Sequence, residues 1–145
     1  KRSLILFVCL VCLLAACSEG GAEDVATRTP GTLLVGENEY SVADLQTMPQ
    51  IQSVFKDVTY LGVVVSALLA DAGYDLNAVT AIKAIASDGY TVNYEPGQLA
   101  GEGVIVAYAT VDGSLLDDEG NFRMVLPGEA GALNLRMLIE LRIFE

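Results

Sequence analysis

Apolar residues in this chain come in short runs, and most of the runs have a period of two. Leu33-Leu34-Val35 and Tyr40-Ser41-Val42 flank Gly36-Glu37-Asn38-Glu39, which predicts two short strands around a turn. Ile51, Ser53 and Phe55 alternate with polar neighbours, as a strand with one buried face does. Ala81 to Ser87, Asp88-Gly89 and Tyr90 to Glu95 read as strand, turn, strand. Val104 to Ala109 is apolar without a break, the pattern of a central strand buried on both faces. Phe122 to Leu126 predicts a strand stopped by Pro127-Gly128, and the alternating Ile139, Leu141 and Ile143 predict a closing strand. Helical spacing is rarer. Ala43 to Met48 makes a turn or two before Pro49, and Val63 to Ala72 carries Val64, Leu68 and Ala72 on one face, with Gly73 placed as a C′ glycine. Leu99-Ala100 closes a short helical turn, and no internal repeat is visible. The expected fold class is α+β: a mainly β, mixed-sheet domain with short helices.

The first 32 residues belong to another pattern. Lys1 and Arg2 precede an apolar stretch from Leu4 to Ala16 that ends in Leu14-Ala15-Ala16-Cys17. A positive start, a short apolar core and small residues before the cut describe a secretory signal. The stretch is shorter than the roughly 20 residues needed to span a bilayer. Leu-Ala-Ala-Cys resembles the lipobox of bacterial lipoproteins, which implies lipidation at Cys17; an ordinary cleaved signal with an incidental Cys is the alternative. Ser18 after the Cys carries no inner-membrane retention signal of the Asp type, so the expected location is the cell envelope, at the outer membrane if the source is Gram-negative. Residues 1–16 are thus expected to be the signal peptide and 17–32 a flexible tether, small and polar with a Pro30-Gly31 breaker. The domain proper is 33–145.

Cleavage would remove Cys9 and Cys12 with the signal and lipidate Cys17, leaving no thiol for a disulfide. It would also remove two cations from a chain whose formal charge is already −11. The cations left are Arg28, Lys56, Lys83, Arg123, Arg136 and Arg142. So acidic a surface argues against nucleic acid as a partner and against electrostatic docking on anionic lipid, so the expected membrane contact is the lipid anchor alone. The chain has no His. With no free thiol either, Ser-His-Asp and Cys-His nucleophiles are excluded. Asp117-Asp118-Glu119, with Asp112 nearby, lacks EF-hand spacing and reads as a solvated turn. Gly97, Gly101 and Gly103 precede no Gly-Lys-Ser/Thr, so they make no P-loop.

Four blocks, in order, carry a family resemblance. Tyr60-Leu61-Gly62-Val63 with Leu68-Leu69 and Gly73 comes first, and Ser87-Asp88-Gly89-Tyr90 second. Val104 to Ala109 followed by Asp112-Gly113 and Leu115 is the third, and Gly120 to Ile143 the fourth. Together they resemble the molybdopterin-binding domain of the sulfite oxidase type, from about Leu33 to the C-terminus. The resemblance implies that family's fold and a pocket for a molybdenum cofactor, with one Cys thiolate on the metal and basic residues on the cofactor's phosphate. Arg123 and Arg136 fall on basic positions of the family's last block, and Asn134 falls where the same segment supplies backbone contacts. Guanidinium groups suit phosphate because they bind it in bidentate fashion. The alternative is that both arginines merely solvate an exposed strand face.

One departure matters for chemistry. The family's metal-ligand Cys belongs in the stretch that here runs from Ile51 to Thr59, where Gln52 and Ser53 are the nearest polar residues. Neither replaces a soft thiolate. Sulfite-oxidising chemistry is therefore expected to be absent and no catalytic residue is assigned. Two functions follow. One is a degenerate domain, without metal or cofactor, that binds a small ligand or an envelope partner protein. The other is a redox accessory holding a molybdopterin-type or other phosphorylated cofactor through Arg123 and Arg136.

Overall fold

The computed structural model describes residues 29–117 and 120–145. The expected signal peptide, the lipobox at Cys17, most of the tether and the Asp118-Glu119 turn lie outside the described residues. No helix among those described is long and apolar enough to cross a membrane.

Among the described residues nine strands and three short α-helices follow one another in the order β1 (Leu33–Val35), β2 (Asn38–Tyr40), α1 (Val42–Gln46), β3 (Ile51–Phe55), β4 (Val58–Val64), α2 (Val65–Asp71), β5 (Ala81–Ala86), β6 (Thr91–Tyr94), α3 (Pro96–Leu99), β7 (Ile105–Thr110), β8 (Arg123–Val125) and β9 (Leu138–Phe144). They form a five-stranded sheet, β2-β1-β9-β5-β6, and a four-stranded sheet, β3-β4-β7-β8. Among the described strands only β1 and β9 pair in parallel, so the larger sheet is mixed and the expected α+β class holds.

The large core takes side chains from both sheets and from α2, whose Val65, Leu68 and Leu69 are all buried. A second, small core of Tyr60, Ile105, Ala107, Leu116 and Val125 sits on the other face of the four-stranded sheet. Strand β7 feeds both: Val106 and Tyr108 enter the large core, while Ile105 and Ala107 enter the small one. That explains its unbroken apolar run, because a strand buried on both faces has no polar phase. The same alternation sorts β8, where Met124 points to the large core and Val125 to the small one. Arg123, one residue before Met124, shares a face with Val125.

Three local expectations need correction. The first turn is Gly36-Glu37 rather than a four-residue loop, and Ser41-Val42 do not extend β2. Ser41 instead caps α1: its Oγ accepts from the Asp44 N–H at 3.2 Å, and the Asp44 carboxylate accepts from the Ser41 N–H at 2.7 Å. The second helix does not start at Val63. Val63 and Val64 finish β4, as β-branched residues favour, and the helix runs from Val65 to Asp71 before Gly73 takes the C′ position with φ 92°. Strand β9 is central in its sheet, between β1 and β5. Its pairing slips between Ile85 and Ala86, so both Leu138 and Leu141 reach the large core although they stand three positions apart. A bulge changes the parity of a strand, and simple alternation misses it.

Candidate functional site

The site lies at the end of the four-stranded sheet where the β3–β4 hairpin turns. Lys56 and Asp57 make that turn with φ of 47° and 63°. Two positive values in a two-residue loop describe a primed hairpin turn, which matches strand twist even where neither residue is Gly. At the same end of the sheet, Arg123 opens β8 opposite Ala107.

Arg123 is 3% exposed. Its Nη1 donates to the Tyr60 hydroxyl at 2.7 Å and its Nη2 to the Asn134 carbonyl at 3.3 Å. The guanidinium carbon lies 4.6 Å from the centre of the Tyr60 ring and 5.6 Å from that of Phe55. The aromatic faces and the two oxygens thus hold a buried cation in place.

Asn134 follows a 3₁₀ turn at Gly131–Leu133. Its side chain is spent on the preceding loop: Oδ1 accepts from the Leu126 N–H at 2.7 Å, and Nδ2 donates to the Leu126 and Ala130 carbonyls, each at 3.2 Å. The backbone of Asn134, not its amide, faces Arg123. Two residues on, Arg136 is exposed.

These groups enclose a cleft of about 470 Å³ lined by Phe55, Lys56, Val58, Tyr60, Arg123, Gly131, Asn134 and Arg136. Arg123 and Arg136, separated in sequence, share this one concavity, with Arg123 buried and Arg136 on the rim. The expectation that both solvate an open strand face does not describe Arg123. Lys56 joins them, and sequence reasoning missed it. Its one signal was Lys56-Asp57 standing between two alternating runs, a turn that throws a cation off the sheet's end. Three of the five cations among the described residues therefore line one cleft, and no described lining residue is a carboxylate. The other two, Lys83 and Arg142, are cross-strand partners in the five-stranded sheet. A second hollow of about 250 Å³, bordered by Asp88, Tyr90 and Met137, adjoins the cleft along Gly131, Asn134 and Arg136.

The donor set does not fit a thiolate-held molybdenum centre. The stretch from Ile51 to Thr59 supplies no thiol, Gln52 is exposed, and Ser53 is buried with its hydroxyl donated to the Gly103 carbonyl at 2.7 Å. Among the described residues no group of three His, Cys, Asp or Glu side chains is arranged to hold a metal ion. What the cleft offers instead is positive charge beside aromatic faces, which suits an anion.

No protein-family model matches the chain, and no curated protein matches it. Among solved structures it is similar to the crystal structure of the sulfane dehydrogenase SoxCD from Paracoccus pantotrophus, with a TM-score of 0.65 and 18% identity. The match covers 78% of this chain and 38% of that one, so the chain spans well under half of the protein it resembles. At this identity the likeness is one of fold. It supports a distant sulfite oxidase-like fold, in line with the sequence resemblance.

Proposed function

We propose that this chain is a lipid-anchored envelope protein whose sulfite oxidase-like domain binds a small anion in the cleft between Lys56, Arg123 and Arg136, without sulfite-oxidising chemistry. The observation that carries the reading is the gathering of three of five described cations into one cleft of an acidic chain. Buried Arg123 sets a fixed positive floor, and Arg136 on the rim brings a guanidinium suited to bidentate oxyanion contacts. A charge-assisted contact of this kind contributes about 1.5–3 kcal/mol, so Arg136→Ala should weaken binding about tenfold or more. The test is calorimetric titration of the full chain in detergent with inorganic phosphate at low salt. No heat of binding from the wild type would end the reading.

The anchor is tested separately. Cys17→Ala should release the protein from membranes in a high-salt wash, because the thiol is the acylation site and so acidic a chain disfavours electrostatic docking on anionic lipid. A mutant that stays with the membrane fraction would remove the lipobox from the argument.

A second reading is favoured by the same two arginines. A redox accessory would hold a pterin-type or other phosphorylated cofactor through Arg123 and Arg136, and the adjoining hollow gives such a ligand room to extend. An absorption spectrum and metal analysis of the protein isolated from its own host separate the two. A stoichiometric chromophore or one molybdenum per chain supports the accessory role, and a colourless, metal-free protein that binds phosphate supports the first reading.

A further inference from the structure

We infer that the cleft selects a doubly charged oxyanion over a singly charged one, and that Lys56 supplies part of that selection. The inference rests on the anion-binding reading above and names the class of anion. Of the three cations, Arg123 is engaged with Tyr60 and Asn134 inside the fold, so its place is fixed by the fold itself. Lys56 stands on the hairpin tip and reaches over the cleft towards the segment that carries Asn134 and Arg136. Its Nζ lies 5.4 Å from the centre of the Phe55 ring, and a Cβ built on Gly131 would be 3.5 Å from it. The primed turn aims the side chain and the aromatic ring supports it, with its ammonium end beside Gly131. The ammonium is a compact charge with three rotatable donors that it can turn towards an anion in the cleft.

Charge selection follows from Coulomb's law. The interaction of Lys56 with a ligand scales with the ligand's charge, so a dianion gains twice what a monoanion gains. In equilibrium constants the doubling becomes a square. Lys56 lies within Ile51–Thr59, the stretch in which the resemblance would place a metal-ligand thiolate. A cation in that stretch suits a cleft whose occupant is itself the anion.

The probes are methyl phosphate, a dianion at pH 8, and dimethyl phosphate, a monoanion, titrated into the full chain in detergent at low salt. Lys56→Asn removes the charge, and Asn tolerates the left-handed backbone at this position; Lys56→Arg keeps the charge. Wild type and Lys56→Arg should prefer methyl phosphate by about tenfold or more. If Lys56→Asn costs dimethyl phosphate about threefold, it should cost methyl phosphate about tenfold, with the urea midpoint unchanged. A wild type that binds both esters equally, or a Lys56→Asn protein that keeps the wild-type ratio, overturns the inference and leaves anion binding standing. A wild type that binds neither ester removes the anion-binding reading itself.

Discussion

The Arg123 guanidinium donates to the hydroxyl of Tyr60 while lying 4.6 Å from the centre of the same ring, so one tyrosine serves as both acceptor and cation-binding face. The two residues belong to β8 and β4, which are not neighbours in the sheet; β7 runs between them. Ala107 is the β7 residue opposite both Gly62 and Arg123. Its small side chain leaves the span across β7 open to longer ones. A buried charge is tolerated only when its surroundings replace water, and here a phenol, a carbonyl and two rings contribute to that.

Tyr60→Phe should therefore separate the two roles of the tyrosine. The ring and its cation–π contact remain, but Arg123 loses the hydroxyl as an acceptor. The expected cost is about 1–3 kcal/mol, read as a lower urea midpoint at unchanged slope. A midpoint equal to the wild type would mean that the hydroxyl contributes nothing to holding the guanidinium.

Gly62 should be the least replaceable residue of the four-stranded sheet. The β4–β7 register shifts between Leu61 and Gly62, and a Cβ on Gly62 would come 2.1 Å from the Val106 carbonyl oxygen and 2.7 Å from Ala107 Cα. Those are backbone atoms of a central strand and cannot swing aside. Gly62→Ala should cost at least about 1–3 kcal/mol, the usual range for overpacking, and broaden amide signals along β4 and β7. A well-folded Gly62→Ala protein of wild-type stability would show that the bulge relaxes freely.

These two residues also mark what the sequence could and could not convey. Strand β7 was legible because burial on both faces leaves an unbroken apolar run, and the β5–β6 hairpin because Asp88-Gly89 demands a turn, with Gly89 at φ 88°. The start of α2 was not legible, since Val63 and Val64 satisfy a helical stripe and a strand equally well. Nor was the parity of β9, because a bulge in a partner pairing leaves no local trace. Within the cleft, Arg123 and Arg136 were legible only through family resemblance, for no periodicity links a β8 residue to one beyond a 3₁₀ turn. Lys56 reaches the cleft through hairpin geometry, and its identity as a surface lysine gives no hint of that.

The cap of α1 predicts an acid-sensitive contribution to stability. Hydrogen bonds from the Ser41 side chain, then from the Ser41 backbone, hold the exposed Asp44 carboxyl below its ordinary value of 3.8. A carboxyl whose folded pKa is depressed stabilises the fold fully above its unfolded value, and that stabilisation is lost as pH falls through the folded value. Wild type should therefore exceed Asp44→Ala in stability at pH 7, and the gap should narrow steadily as pH drops below about 4. Urea midpoints at pH 7, 5, 4 and 3 test it. A gap that is constant over this range would show that the carboxylate's charge has no part in the cap.

Asn134 offers the sharpest test of how the cleft wall is built, because its amide both accepts and donates within one loop. It is 2% exposed, takes the Leu126 N–H, and gives its own N–H groups to the Leu126 and Ala130 carbonyls. Asn134→Ala takes the acceptor from the Leu126 N–H, at about 1–3 kcal/mol, whereas the Leu126 and Ala130 carbonyls keep the N–H groups of Glu129 and Leu133. Asn134→Asp keeps the acceptor for the Leu126 N–H but turns the donor into a second oxygen facing two carbonyl oxygens. An ionised carboxylate buried in that position has the higher cost, so Asp should be worse than Ala at pH 7. The order should relax as the solution is acidified and the carboxyl regains a proton to donate. Both variants should also weaken phosphate binding, since this segment carries Arg136 and its carbonyl holds Arg123. An Asp variant as stable as wild type at pH 7 would mean that donation from Asn134 does not close the loop, and that the wall of the cleft is held by its other hydrogen bonds.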